Sequence, residues 1–217
     1  MAIRKREHLL EVAQRMFCEI GFHAVSVDAI LEEAGVARMT LYKNFGSKED
    51  LIVAALKRED RTFRQWLASA VEARSNHSKD RILGLFHALH DRFAADGYYG
   101  CAFIRASIEY PASGHPVHRA AQAHKEMIRS YLRGLAAEVE GADPVTLSEQ
   151  LYLLFEGAIT ASQLHGEPWP AEYARQAAEK LLAEPSIRPS PSMKGNKVDR
   201  ETRMESSRRT GIRAGAV

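Results

Sequence analysis

The sequence predicts an all-α protein of about nine helices, and three observations predict it. Apolar residues recur at three- and four-residue intervals along almost all of residues 1–183. No segment alternates apolar and polar residues over the length of a strand. Glycine, proline and serine fall where one apolar stripe stops and the next begins. A chain of 217 residues, 45% apolar and 27% charged, has the size and composition of one large globular helical domain, or of a small domain joined to a larger one.

Taken in order, the first helix runs from about Arg4 to Ile20, with Leu9, Ala13, Phe17 and Ile20 on one face and Gly21 as its stop. Two short helices follow within Val27–Leu51, separated by a turn at Gly35. Ile30, Ala34, Val36, Leu41 and Phe45 supply the apolar spacing that locks them at a steep angle. Ser47-Lys48-Glu49-Asp50 has the form of a capping box and starts a long helix through Trp66 and Val71 to about Arg74. Residues 75–78 form a loop. Asp80 to Ala95 is helical, with Ile82, Phe86, Leu89 and Phe93 in register, and Asp96-Gly97-Tyr98-Tyr99-Gly100 breaks it. A short helix spans Cys101 to about Glu109, before Pro111. Long helices from Pro116 to Val139 and Pro144 to Leu164 follow, then a last one from about Ala171 to Ala183. From Glu184 onward, prolines and serines alternate and eight basic residues outnumber four acidic ones. That composition reads as a disordered, solvated tail, with weak nonspecific DNA tethering as the sharper alternative. The expected division is 1–47, 48–183 and a tail over 184–217.

No apolar run approaches the roughly 18 residues that span a membrane, and M-A-I-R-K-R-E-H lacks a signal-peptide core, so no membrane association is expected and the expected location is the cytoplasm. Two cysteines, Cys18 and Cys101, are too few for a disulfide framework. A formal net charge of +2 does not mark a nucleic-acid binder. Glu32, Glu33, Glu49 and Asp50 lie close to the densest cluster of donors, so any affinity for DNA depends on where the cations point.

That cluster is Arg38, Met39, Thr40, Tyr42, Lys43 and Asn44, with Lys48 just beyond. A helix laid in the major groove presents side chains to bases at its start and to phosphates along its flanks. Arg38 suits a guanine edge, Thr40 and Tyr42 suit phosphates, and Lys43 suits either. Lys48 adds a charge at a helix N-terminus. The order Gly21-Phe22, S-V-D-A-I-L-E-E-A-G-V, T-L-Y-K-N-F-G-S-K-E-D-L resembles the DNA-binding domain of TetR-family transcriptional regulators over about residues 4–58. The resemblance implies that Arg38, Met39, Thr40, Tyr42, Lys43, Asn44 and Lys48 occupy DNA-contact positions. It implies a larger helical domain for ligand binding and dimerisation in the remainder. Three positions depart from the family pattern. Asn44 stands where His is common, Leu31 where Ala is common, and Ala37 where Ser often caps the recognition helix. The last forfeits about 0.5–2 kcal/mol of capping, which phosphates on the free N–H groups would offset.

Regulation requires a second site with a differential affinity, about 5.5 kcal/mol to move a population from 1:99 to 99:1. Trp66, Phe86, Phe93, Phe103, Ile104, Tyr110 and Phe155 serve either as plain core or as the walls of an effector pocket. Cys101 follows Gly100 at a helix start, where the dipole favours a thiolate, and Arg105 lies one turn on. The run from Gly100 to Glu109 is similar to a segment in family members that sense electrophiles through this cysteine; a packed structural thiol is the plainer reading. Cys18 is core. His87 with His90, and His115, His118 and His124, lack companion ligands, so they read as solvated or capping residues and no metal or other cofactor is expected. Leu151, Leu154, Phe155, Ala158 and Ile159, then Tyr173, Ala177 and Leu181, with small residues Gly157, Ala158 and Ala161, suit either burial within one subunit or the family's four-helix dimer interface.

The leading expectation is a homodimeric repressor on a palindromic double-stranded operator, with half-sites about 34–36 Å or a multiple apart, released by an unidentified small molecule. The alternative is a redox or electrophile sensor acting through Cys101. An enzyme using Cys101 and a histidine is a third reading, but no ordered nucleophile–base–orienter set or cofactor loop supports it, and the expectation is a non-enzyme.

Overall fold

A computed structural model describes residues 2–72 and 77–183. Among these it contains nine α-helices and no strand: α1 Ala2–Glu19, α2 Val27–Ala34, α3 Arg38–Phe45, α4 Lys48–Glu72, α5 Ser78–Ala94, α6 Ala102–Glu109, α7 Pro116–Ala137, α8 Pro144–His165 and α9 Trp169–Ala183. The expected end of α4 near Arg74, residues 75 and 76 of the expected loop and the tail over 184–217 lie outside the described residues. The helix α5 starts at Ser78, two residues before its expected start. Likewise α9 starts at Trp169 rather than Ala171, because Pro170 in a first turn surrenders an N–H that has no helical partner there.

Local chemistry sets the other boundaries. Ser26 caps α2 by accepting the Ala29 N–H at 3.0 Å, and Gly35, at φ +61°, ends it in the left-handed region. Ala37 caps α3 without any side-chain hydrogen bond. Ser47 Oγ accepts the Asp50 N–H at 3.0 Å and donates to the Asp50 carboxylate at 2.7 Å, closing the box that starts α4. Asp143 caps α8, accepting from the Thr146 N–H at 3.1 Å.

Two apolar cores result. One lies among α1, α2 and α3, but it also takes in Leu51, Ile52, Ala55 and Leu56 of α4, Phe103 and Ala106 of α6, and Val117 and Ala121 of α7. The other gathers the second half of α4 with α5, α7, α8 and α9 around Phe63, Leu67, Phe86, Leu89, Leu132 and Phe155. The helices α4 and α7 therefore belong to both. Among the described residues no helix is long and apolar enough to cross a membrane.

Candidate nucleic-acid interface and buried cavity

The short helix α3 holds itself by its own apolar side. Leu41 is fully buried and Phe45 nearly so, with the Arg6 guanidinium 4.8 Å above the Phe45 ring. The opposite side is exposed: Met39 at 74% and Tyr42 at 44%, with Arg38 and Lys43 beside them. Of the seven residues expected on this surface, four are exposed and three are half-buried. Thr40 is half-buried, and Asn44 turns back on its own helix to donate to Thr40 O at 2.7 Å. Lys48 is half-buried too, its Nζ 3.4 Å from His23 O; burial lowers its pKa, against the raising effect of Glu49 and Glu109. Arg38 is exposed, yet its guanidinium is ion-paired with Asp28 of α2, so it must exchange that carboxylate for any base edge.

The loop between α1 and α2 is gripped by α6, a helix distant from it in sequence. Glu109 accepts the N–H of Phe22 at 3.1 Å and of His23 at 2.6 Å. His23 Nε2 lies 2.8 Å from Glu109 O, and its ring stacks on Tyr110 at 4.5 Å. One turn earlier, Arg105 donates to Phe17 O at 3.2 Å and Cys18 O at 2.7 Å, satisfying carbonyls at the C-terminus of α1. Arg105 is thus turned away from Cys101. Sequence spacing pointed to neither contact, because both join residues almost ninety positions apart.

The cation beside Cys101 is Lys125, whose Nζ is 3.5 Å from Sγ and 2.6 Å and 2.8 Å from the two oxygens of Glu156. Cys101 is the N-cap residue of α6, and its own N–H donates to Gln163 Oε1 at 3.2 Å. The adjoining Gly100 sits at φ +85° with Gln163 packed where a Cβ would stand, so the turn into α6 requires glycine. Cys101 lines a partly open cavity of about 30 Å³ among α4, α5, α6, α7 and α8, room for about two waters.

Of the seven aromatic and apolar residues proposed from the sequence as pocket walls, Phe93, Phe103 and Phe155 line this cavity. Phe86 is plain core, and Trp66 and Ile104 pack against that core from its edge. Tyr110 belongs to the other core and to the His23 stack. His124, expected at the surface or as a cap, is only 4% exposed: it stacks on Phe103 at 3.5 Å and donates from Nδ1 to Asp60 Oδ1 at 2.8 Å. Burial pushes its pKa down to about 4, so the imidazole is neutral, although Asp60 pulls the other way. His115 does cap, accepting the Val117 N–H at 3.3 Å. Cys18 is half-buried, and burial pushes its thiol up to about 11. Tyr98 was read only as part of a helix break. Its hydroxyl is buried at the cavity with no hydrogen-bond partner among the protein's own groups.

A short, outward-facing helix after a glycine turn, joined to a helical domain with an internal cavity, defines a helix-turn-helix regulator. The comparisons agree. The profile described as bacterial regulatory proteins of the tetR family matches residues 9–55, and that of the tetracyclin repressor-like C-terminal domain matches 78–178. The crystal structure of SCO4454, a TetR-family transcriptional regulator from Streptomyces coelicolor, is 35% identical, covering 82% of this chain and 88% of that one with a TM-score of 0.78. The transcriptional repressor NemR of Escherichia coli is 24% identical over 193 residues, 84% of this chain and 96% of that protein. Its reduced form has been crystallised and shares the fold, with a TM-score of 0.73 at 23% identity over 82% of this chain and 96% of that one. The regulator YjdC of the same organism is 23% identical over 178 residues, 82% of this chain and 93% of that protein. The chain belongs to the TetR family of helix-turn-helix transcriptional regulators.

Proposed function

We propose that the protein is a homodimeric repressor that reads a palindromic operator through α3 and releases it when a small molecule enters the cavity beside Cys101. The observation that carries this reading is the exposed side of α3, where Arg38, Met39, Tyr42 and Lys43 face outward while Leu41 and Phe45 anchor the helix. One such helix reads few bases, and a twofold pair reads a palindrome.

A face suited to pairing exists on α8 and α9. Leu153 at 70% and Leu164 at 79% exposed lie three turns apart on one side of α8, with exposed Gly157 between them. Trp169 and Tyr173 continue the apolar surface on α9. Leu151, Phe155, Ala158 and Ile159, by contrast, are spent on the core of their own subunit. Functionally, residues 1–47 would read DNA and 48–183 would sense and dimerise.

The coupling follows from the size of the cavity. A space of about 30 Å³ admits no organic molecule unless its walls move. One wall is the start of α6, whose other end holds the α1–α2 loop through Glu109. Substituting Tyr42→Phe together with Lys48→Ala is expected to weaken operator binding with the fold and dimer intact; unchanged affinity in a gel-shift titration would refute the contact assignment.

A second reading makes Cys101 the trigger, and the observation that favours it is the Lys125 ammonium 3.5 Å from its sulfur at the cavity wall. NemR, crystallised in its reduced form, is a relative consistent with that chemistry. On this reading oxidants release the wild-type protein from DNA and Cys101→Ser does not respond. An insensitive wild type rejects it.

A further inference from the structure

We propose that the effector is an uncharged, ring-sized carbonyl compound, held in the aromatic cavity by a hydrogen bond from Tyr98 Oη to its single acceptor oxygen. The proposal rests on the small-molecule reading above and narrows it to a chemical class.

The charged groups on the cavity wall each have an opposite already. Arg92 meets Glu59 at 3.3 Å, Lys125 meets Glu156 at 2.6 Å, and neutral His124 donates to Asp60 at 2.8 Å. Glu59 also accepts from Gln14 at 2.7 Å. A carboxylate or ammonium ligand would bring a charge with no free counter-ion to meet it, and burying an unpaired ion is far more costly than burying a neutral polar group.

Among the described residues lining the cavity, Tyr98 Oη is the buried side-chain oxygen without a partner. Burial raises the pKa of this phenol well above its ordinary value, so it remains a donor at physiological pH. A lone buried donor lacks an acceptor. A carbonyl oxygen supplies one and brings no donor of its own to be stranded, as an alcohol or amine would.

The walls limit the rest of the molecule. The Phe93 ring lies 5.0 Å from that of Tyr98, and Phe63, Phe103 and Phe155 also line the cavity, an aromatic lining suited to an apolar body. Tyr98 also lies in the one non-helical stretch of the wall, among the described residues that line it. It belongs to neither α5 nor α6, and Gly97 at φ +79° and Gly100 at φ +85° flank its turn. A ring entering against Tyr98 therefore displaces the turn that leads directly into α6.

The test titrates the full-length chain with acetophenone, with α-methylstyrene, which replaces C=O by C=CH₂ at nearly the same shape, and with benzoate and benzylammonium. Melting temperature and release of selected operator DNA are the readouts. Acetophenone is expected to bind about tenfold more tightly than α-methylstyrene, with the two ions weakest. The same order is expected in Cys101→Ser, since no bond to sulfur forms. Tyr98→Phe is expected to bring ketone and alkene to equal affinity. Equal affinities in the wild type, tighter binding of either ion, or a ketone preference that survives Tyr98→Phe each overturns the proposal while leaving regulation by a small molecule intact. If these probes and a broad set of other ligands all fail to shift either readout, the small-molecule reading falls, and this proposal with it.

Discussion

Replacing Glu109 by alanine tests whether α6 holds the DNA-reading unit in position. The carboxylate accepts two backbone N–H groups across the molecule, one from the nearly buried Phe22 and one from the more exposed His23. A hydrogen bond to a charged acceptor contributes about 1.5–3 kcal/mol when shielded. Water replaces most of the exposed one, so about 1.5 kcal/mol for Phe22 and about 0.5 kcal/mol for His23 give a loss near 2 kcal/mol. For a chain of this size that lowers the melting temperature by about 4–8 °C. Glu109→Gln, which keeps one acceptor oxygen, should lose about half as much. Hydrogen exchange read at single residues should show the Phe22 and His23 amides losing about thirtyfold in protection, the equivalent of 2 kcal/mol, with the interior of α8 much less affected. A Glu109→Ala protein that melts within 1 °C of the wild type, with unchanged exchange at those two amides, would refute the reasoning.

Three further outcomes are expected. Because burial holds His124 near pKa 4 against 6.5 for a free histidine, the unfolded chain binds a proton between those values that the native state refuses. Its stability is therefore complete above pH 6.5 and declines by about 1.4 kcal/mol per unit of acidification, about 3 kcal/mol by pH 4; urea melts of His124→Asn should show a slope shallower by about one proton. Cys18, with its thiol raised to about 11, should react with iodoacetamide at pH 8 at least about a hundredfold more slowly than an exposed peptide thiol, and equal rates by mass spectrometry would contradict its burial. Asp28→Asn should free Arg38 from its ion pair and tighten operator binding by about two- to fivefold in a gel-shift titration, and an unchanged affinity would mean that Arg38 does not leave Asp28 for a base edge.

What the sequence made legible was chemistry confined to a few neighbouring residues. The Ser47–Asp50 box, the Gly35 stop and the prolines at the starts of α7 and α8 each act within one turn of chain, so their spacing alone placed the helices. Arg38, Met39, Tyr42 and Lys43 were legible as outward residues for the same reason, whereas Thr40, Asn44 and Lys48 are half-buried. Side-chain destinations across the fold were not. Helical spacing puts Arg105 one turn from Cys101, but packing directs it to the end of α1 and brings Lys125 from α7 instead. His124 looks like a surface residue in its own helix and becomes buried only because Phe63 and Phe103 close over it from α4 and α6. The orphaned Tyr98 hydroxyl is a property of five helices together, and no local pattern encodes it.

The sharing of α4 between the two cores has a consequence for anyone splicing these regulators. Leu51, Ile52, Ala55 and Leu56 fill the interior beneath α1, α2 and α3, and α6 covers the same interior from outside. A DNA-reading module cut at residue 47 would leave that interior open, and a hybrid joined there would place one parent's α4 and α6 against the other's three helices. Grafting a new operator specificity onto this sensor is therefore better done by exchanging the outward residues of α3 than by swapping whole modules. The seam between reading and sensing runs through the middle of a helix, where a recombination breakpoint would be disruptive.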